Sequence, residues 1–192
     1  MEQIVENVKT RLYWSKVELR RNLARKAKTG QQSVLAAHWF DKPYFLNQWW
    51  EKTDIKQKPT LLLTAWIGSR APNFVWHYSL WLPFFEEVGF VSLYFGKVRT
   101  KLEDKPKEPI RLYRGCHKDK ARCMSWTPDP SYAKAYKDRS YNDREDDGSN
   151  KIYTTLASPD AILAKIETGR DYVHKAYLVN PDKLGEIEEY KD

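Results

Sequence analysis

The segment RTKLEDKPKEP, residues 99–109, is charged and proline-bearing, and it divides two textures of sequence. Beyond it the apolar stretches are short: IRLYRG, CMSW, KIYTTLA, AILAKI and HKAYLVN. Each reads as a strand bounded by turn-forming residues. One helical stretch, DPSYAKAYKDR, interrupts them after the second strand, with an acidic, proline-bearing first turn. A polar loop, SYNDREDDGSN, follows that helix. The order strand, strand, helix, then several strands predicts an α+β domain built on a mostly antiparallel, mixed sheet.

Before the divide the pattern is mainly helical. Residues 11–28 predict a helix with Leu12, Leu19 and Leu23 near one face, Tyr13, Val17, Ala24 and Ala27 beside them, and a stop at Gly30. SVLAAHWFDKPYFLNQWW has helical character broken at Pro43. TLLLTAWIG fits a helix or a buried strand equally. The stretch from Ala71 predicts a helix through Phe85, kinked near Pro83 and closed by Gly89, and FVSLYFGKV favours a strand. The expected organisation is a helical region over 1–98 and an α+β core over 110–192, packed as one compact unit, a size suited to 192 residues.

The net charge of +7 is concentrated. Residues 9–28 hold Lys9, Arg11, Lys16, Arg20, Arg21, Arg25, Lys26 and Lys28 against the single acid Glu18, whereas the end of the chain from Glu186 is mostly acidic. A basic helix of this kind suits nucleic acid, DNA or RNA, or a solvated face. Eight tryptophans and twelve tyrosines supply core area and stacking surfaces. The two cysteines, Cys116 and Cys123, form no CxxC pair and belong to no His/Cys array, so no metal is expected. The N-terminus is charged from its second residue and no apolar run approaches a membrane span, so a cytoplasmic protein with free thiols and no membrane contact is expected.

The residues that carry chemistry lie between 111 and 136. Arg114 ends a strand and is followed by Gly115; a guanidinium there can clamp a phosphate, and a glycine lets a ligand approach the backbone. On the next strand Ser125 and Thr127 share a face while Trp126 points to the core. Thr127 and Asp129 are equally good caps for the following helix. Tyr132 and Tyr136 lie on one face of that helix, available to a ligand ring or to the sheet.

LYRG at 112–115 followed by MSWTPDPSYAKAY at 124–136 resembles the signature of ADP-ribosyltransferase-like proteins, in particular small phage and bacterial members of the arginine-serine-glutamate class. YLVNP at 177–181 is similar to the family's Val-Asp-Pro element. The resemblance covers residues 110–185. It implies a split mixed sheet of ADP-ribosyltransferase type, with NAD as co-substrate, no metal, and transfer of ADP-ribose through an oxocarbenium-like transition state of the kind seen in glycoside hydrolysis. It implies Arg114, Gly115, Ser125, Thr127 and Tyr136 as NAD contacts, Ser125 as the group that orients the catalytic carboxylate, and roles as a toxin or as a phage factor acting in the host cytoplasm.

The sequence departs from that pattern at the carboxylate. The expected glutamate falls near Ala176 and its upstream companion near His174, so neither position is acidic. Asp171 and His174 are the candidates in its place, with Glu167, read as lying just past a strand end, as the next nearest acid. Transfer to arginine is thereby disfavoured, and a nucleic-acid acceptor held through residues 9–28 is expected, a protein acceptor being the other choice. Two alternatives share the scaffold: a non-catalytic nucleotide- or nucleic-acid-binding module, and a nucleobase glycosylase using Asp171.

Overall fold

The computed structural model describes residues 2–69, 72, 76–138, 149–168 and 174–191, with the side chains of 2–8 and of His174 excepted. Asp171 and most of the polar loop at 140–150 lie outside the described residues. The chain forms two compact units, Met1–Trp76 and His77–Asp192. The division falls before the proline-containing helix, so that helix and the first two strands belong to the second unit.

The first unit is helical: α1 (Glu2–Arg25), α2 (Gly30–Ala36), α3 (Lys42–Trp50) and α4 (Lys58–Gly68). The stretch TLLLTAWIG is therefore helix, buried at Leu61, Leu62, Leu63, Ala65 and Trp66 and so apolar on most faces. Gly30 opens α2 instead of stopping α1; Thr29 caps it, accepting from the Gln32 amide at 3.2 Å. Pro43 sits in the first turn of α3, where its missing N–H costs nothing. On α1 the buried residues are Val17 and Ala24, at 1% and 0% exposure, while Leu12, Leu19 and Leu23 stand out to solvent at 57%, 60% and 52%. The leucines share a face as expected, but it is the outer one. The small inner residues let α2 come close, and the Ser33 hydroxyl donates to the Ala24 carbonyl at 2.8 Å.

The second unit is α+β: one helix, then a mixed, partly antiparallel sheet system crossed by a second helix. Helix α5 (Tyr78–Val88) holds Pro83 in its interior and ends at Gly89, whose φ of 74° is the left-handed exit that glycine permits. FVSLYFGKV is not one strand but a hairpin, β1 (Val91–Tyr94) and β2 (Lys97–Arg99), turned at Phe95 and Gly96 with φ of 45° and 80°. Two positive φ values in a two-residue loop match the right-handed twist of the paired strands. There follow β3 (Ile110–His117), β4 (Ser125–Trp126), α6 (Pro130–Asp138), β5 (Asn150–Ala157), β6 (Ile162–Thr168), β7 (His174–Val179) and β8 (Glu188–Glu189).

These strands form two sheets. One has the order β2-β1-β6-β7-β4, with β1 and β6 parallel and the other pairs antiparallel; the other is the antiparallel β3-β5-β8. Leu112, Trp126, Tyr153, Ala157, Ile162 and Val179, drawn from both sheets, share one buried cluster. Among the described residues no helix is long and apolar enough to cross a membrane.

Candidate functional site

The two sheets are stitched together where β3 meets the end of β4. Tyr113 and Thr127 exchange backbone hydrogen bonds, at 2.7 Å from the Tyr113 amide and 2.9 Å from the Thr127 amide. Arg114 lies within β3, paired with Tyr153, and not at its end as expected, because pairing with β5 carries the strand on to His117. It adds a side-chain link, its Nη1 donating to the Ser125 carbonyl at 2.5 Å and its Nε to the Lys120 carbonyl at 2.9 Å. The motif residues of the two strands are thus brought together at the junction of the sheets. The connection between them, residues 118–124, is held by the same means: Arg122 donates to the carbonyls of Pro181, Leu184 and Gly185 at 2.7, 3.1 and 3.1 Å. Both arginines work as backbone clamps here, and the role of Arg122 left no trace in the sequence pattern.

Gly115 is required by packing. A Cβ built on it would fall within contact distance of the Ala133 carbonyl and 2.6 Å from the Lys137 amide, so α6 lies directly on the backbone of β3. The glycine gives close approach to a helix, where the sequence suggested close approach of a ligand. Ala133, fully buried, is the matching small residue on α6. The helix begins as expected, with Asp129 accepting from the Ser131 amide at 2.9 Å and its hydroxyl at 2.7 Å. Tyr136 is 39% exposed on α6.

The hydroxyl of Thr127 takes the structural option too. Buried to 4% exposure, it donates to the Lys175 carbonyl at 3.0 Å and accepts from the Asp129 amide at 3.2 Å. Trp126 points to the core, its Nε1 donating to the Cys123 carbonyl at 2.7 Å. Both cysteines are free thiols; burial, partly offset by Arg114, pushes the Cys116 thiol above its ordinary range and so favours the protonated, unreactive form.

The carboxylates divide by strand parity. Glu167 lies within β6, not past its end, and is buried at 6% exposure. Its carboxylate meets Lys165 Nζ at 2.9 Å and Lys175 Nζ at 4.0 Å. Across the sheet Glu167 pairs with Lys175, Lys165 with Tyr177, and Tyr177 with Trp126, so these five share one face. Ser125 pairs with Leu178 and therefore lies on the opposite face, together with Ala176 and Ile166. Ala176 and Ile166 are buried at 8% and 6% exposure, so the position expected to carry the glutamate is apolar and lined by apolar neighbours. Among the described strand residues no carboxylate shares the face of Ser125. His174 pairs with Thr168 at the start of β7.

The ion pairs on the Glu167 face are matched. Burial opposes the charge on Lys165, but the hydrogen bond to Glu167 and the negative groups around it hold the ammonium above its ordinary range. Burial also raises the Tyr177 phenol. Among the described residues no group of three or more His, Cys, Asp or Glu is gathered as a metal site would require. Compared with protein-family models, with curated proteins and with solved structures, the chain matches none.

Proposed function

We propose that the second unit is an ADP-ribosyltransferase-type domain that takes NAD, with a nucleic-acid acceptor engaged through the basic residues 9–28. The observation that carries this reading is the convergence of the motif elements: Arg114 reaches the Ser125 backbone at 2.5 Å, Thr127 closes the bridge between the sheets, and α6 rests on Gly115. An arginine beside the glycine on β3, a hydroxyl-bearing strand and a helix seated on the glycine are the parts that the resemblance calls for, in its order. In transfer, Ser125 would orient a carboxylate that stabilises positive charge at C1 of the nicotinamide ribose as the glycosidic bond to nicotinamide breaks and the acceptor nucleophile adds.

A second reading is favoured by strand parity: NAD or a related nucleotide is bound without transfer. Glu167 lies on the face opposite Ser125 and is already neutralised by Lys165 and Lys175, and Ala176 offers no charge. The experiment is the incubation of the folded chain with labelled NAD and, separately, DNA, RNA and protein acceptors, alongside calorimetric titration of NAD. Nicotinamide release with label on nucleic acid is the expected outcome of transfer. NAD binding without release selects the second reading. Neither binding nor release by the folded chain overturns both. Ser125→Ala, which leaves the carbonyl that Arg114 holds, should lower transfer or NAD affinity by about tenfold.

A further inference from the structure

The helical unit contains a cavity of about 300 Å³, the lower end of the range for small-molecule sites. Its walls are Tyr13, Lys16 and Arg20 from α1, His38 and Trp39 from the turn between α2 and α3, and Lys42 from the first turn of α3. No acid lines it. The nearby acids are engaged elsewhere: Asp41 accepts from Arg21 Nε and Nη2 at 2.9 and 3.2 Å, and Glu18 pairs with Arg25 at 3.2 Å and Arg21 at 3.7 Å. Among the described residues Lys16, Arg20 and Lys42 therefore have no carboxylate partner within ion-pair distance.

Lys42 is the informative member. It is 7% exposed, and its Nζ donates to the Val34 carbonyl at 2.5 Å and, at 3.4 Å, to that of Leu35. Those carbonyls end α2, where a cation is favoured by the helix dipole. They take two of its three protons. Gly68 makes the passage for its stem, since a Cβ there would lie 2.6 Å from Lys42 Cε and 2.8 Å from Cδ. Burial and the like charge of Arg20 push this ammonium below the ordinary lysine range, the cost of a buried cation without a counter-ion. On the wall beside it His38 Nδ1 is buried and has no hydrogen-bond partner among the described residues. The rings of Tyr13 and Trp39 flank His38 at 5.6 and 5.5 Å between centroids.

We propose that this cavity binds the phosphate group of a nucleotide, with Lys16, Arg20 and Lys42 around the anion and the Trp39 or Tyr13 ring against the base. A buried ammonium with no counter-ion, beside two exposed cations that no acid meets, favours an anion at this site, and the aromatic wall favours one that carries a ring. The inference concerns the helical unit alone and does not rest on the NAD reading.

The test uses the full chain and calorimetric titration at low salt with adenosine 5′-monophosphate, adenosine and inorganic phosphate. The monophosphate should bind at least about tenfold more tightly than adenosine, and Arg20→Glu and Lys16→Glu, both at exposed positions, should each weaken it by about tenfold or more. Gly68→Ala should also weaken it, by shifting Lys42 with no change of charge. A 5′-phosphorylated single strand that competes with the monophosphate identifies a strand end as the source of the phosphate. A strand that fails to compete identifies a free nucleotide. Equal binding of monophosphate and adenosine, no binding of the monophosphate, or undiminished affinity in a normally folded Arg20→Glu overturns the proposal. Ser125→Ala should leave monophosphate binding unchanged, so the two readings fail separately.

Discussion

Lys42 and Lys165 are both lysines drawn into the protein, and they respond in opposite directions. Lys165 lies on a sheet beside Glu167, and its ammonium is held above the ordinary range; Lys42 lies in a helical cavity beside Arg20, and its ammonium is pushed below it. The contrast extends to the arginines. Arg114, which the sequence made conspicuous, and Arg122, which it did not, both have donors on backbone carbonyls. Arg20 and Lys16, which looked like part of a solvated basic face, stand at a cavity with no acid to meet them. A charge matched within the fold accounts for itself structurally; of the three cations at the cavity only Lys42 is buried without a counter-ion, and it is the one on which the proposal of an anion turns.

The sharpest way to test this division is through the two crowded glycines. Gly115 faces the backbone of α6, which cannot yield, while Gly68 faces the end of a lysine side chain, which can. Gly115→Ala should therefore destabilise the chain by about 3 kcal/mol, the upper end for overpacking. Gly68→Ala should cost less than about 1 kcal/mol and act mainly on ligand affinity. Urea unfolding of both variants decides; equal costs would break the distinction between a structural and a ligand-directed glycine.

The strand order after residue 110, the helix at 130–138 and the inward tryptophan on β4 were legible because period-two runs, proline and caps are local signals. The separation into two sheets was not, since it depends on which strands pair: β3 pairs with β5 and β4 with β7, and the Tyr113–Thr127 bridge is a link between the sheets. Glu167 was misplaced for a similar reason. Its neighbours in sequence suggest a strand end, but pairing with Lys175 extends β6 through it and fixes its face. The cavity was hidden because it gathers residues from α1, the turn between α2 and α3, α3 and α4, and no short motif spans that distance. The eight basic residues of 9–28 do not say from sequence which of their charges are paired within the fold, as Arg21 is with Asp41.

A second test uses pH. The Lys165 ammonium has its pKa raised on folding, so its contribution to stability is complete below about pH 10.4, the unfolded value, and is lost as pH rises through the folded value. Lys42 has the opposite sign: its penalty is complete below its lowered folded value and is relieved as pH climbs from there towards the unfolded one. Glu167→Gln removes the partner of Lys165 and should cost about 1–2 kcal/mol at neutral pH, a range set by the partial exposure of Lys165. The same variant should flatten the alkaline fall in stability, and Lys42→Met should remove the opposing rise. Thermal unfolding between pH 7 and 11 reads both; an alkaline fall undiminished in Glu167→Gln would show that the pair does not hold the lysine charged.

The smallest expected effect checks how α1 is seated. Sequence pattern alone offers two stripes on this helix: the large leucines at 12, 19 and 23, and the smaller Val17 and Ala24. Burial of the leucines would remove more apolar area from water. The structure buries the small stripe, because the hydrogen bond from Ser33 to the Ala24 carbonyl requires α2 to approach more closely than leucine side chains allow. Leu19→Ser should then change stability by less than about 0.5 kcal/mol, whereas Val17→Ala should cost about 2 kcal/mol through lost burial and the void left behind. If Leu19→Ser proved the costlier of the two, α1 would be rotated, and Lys16 and Arg20 would no longer stand at the cavity with Lys42.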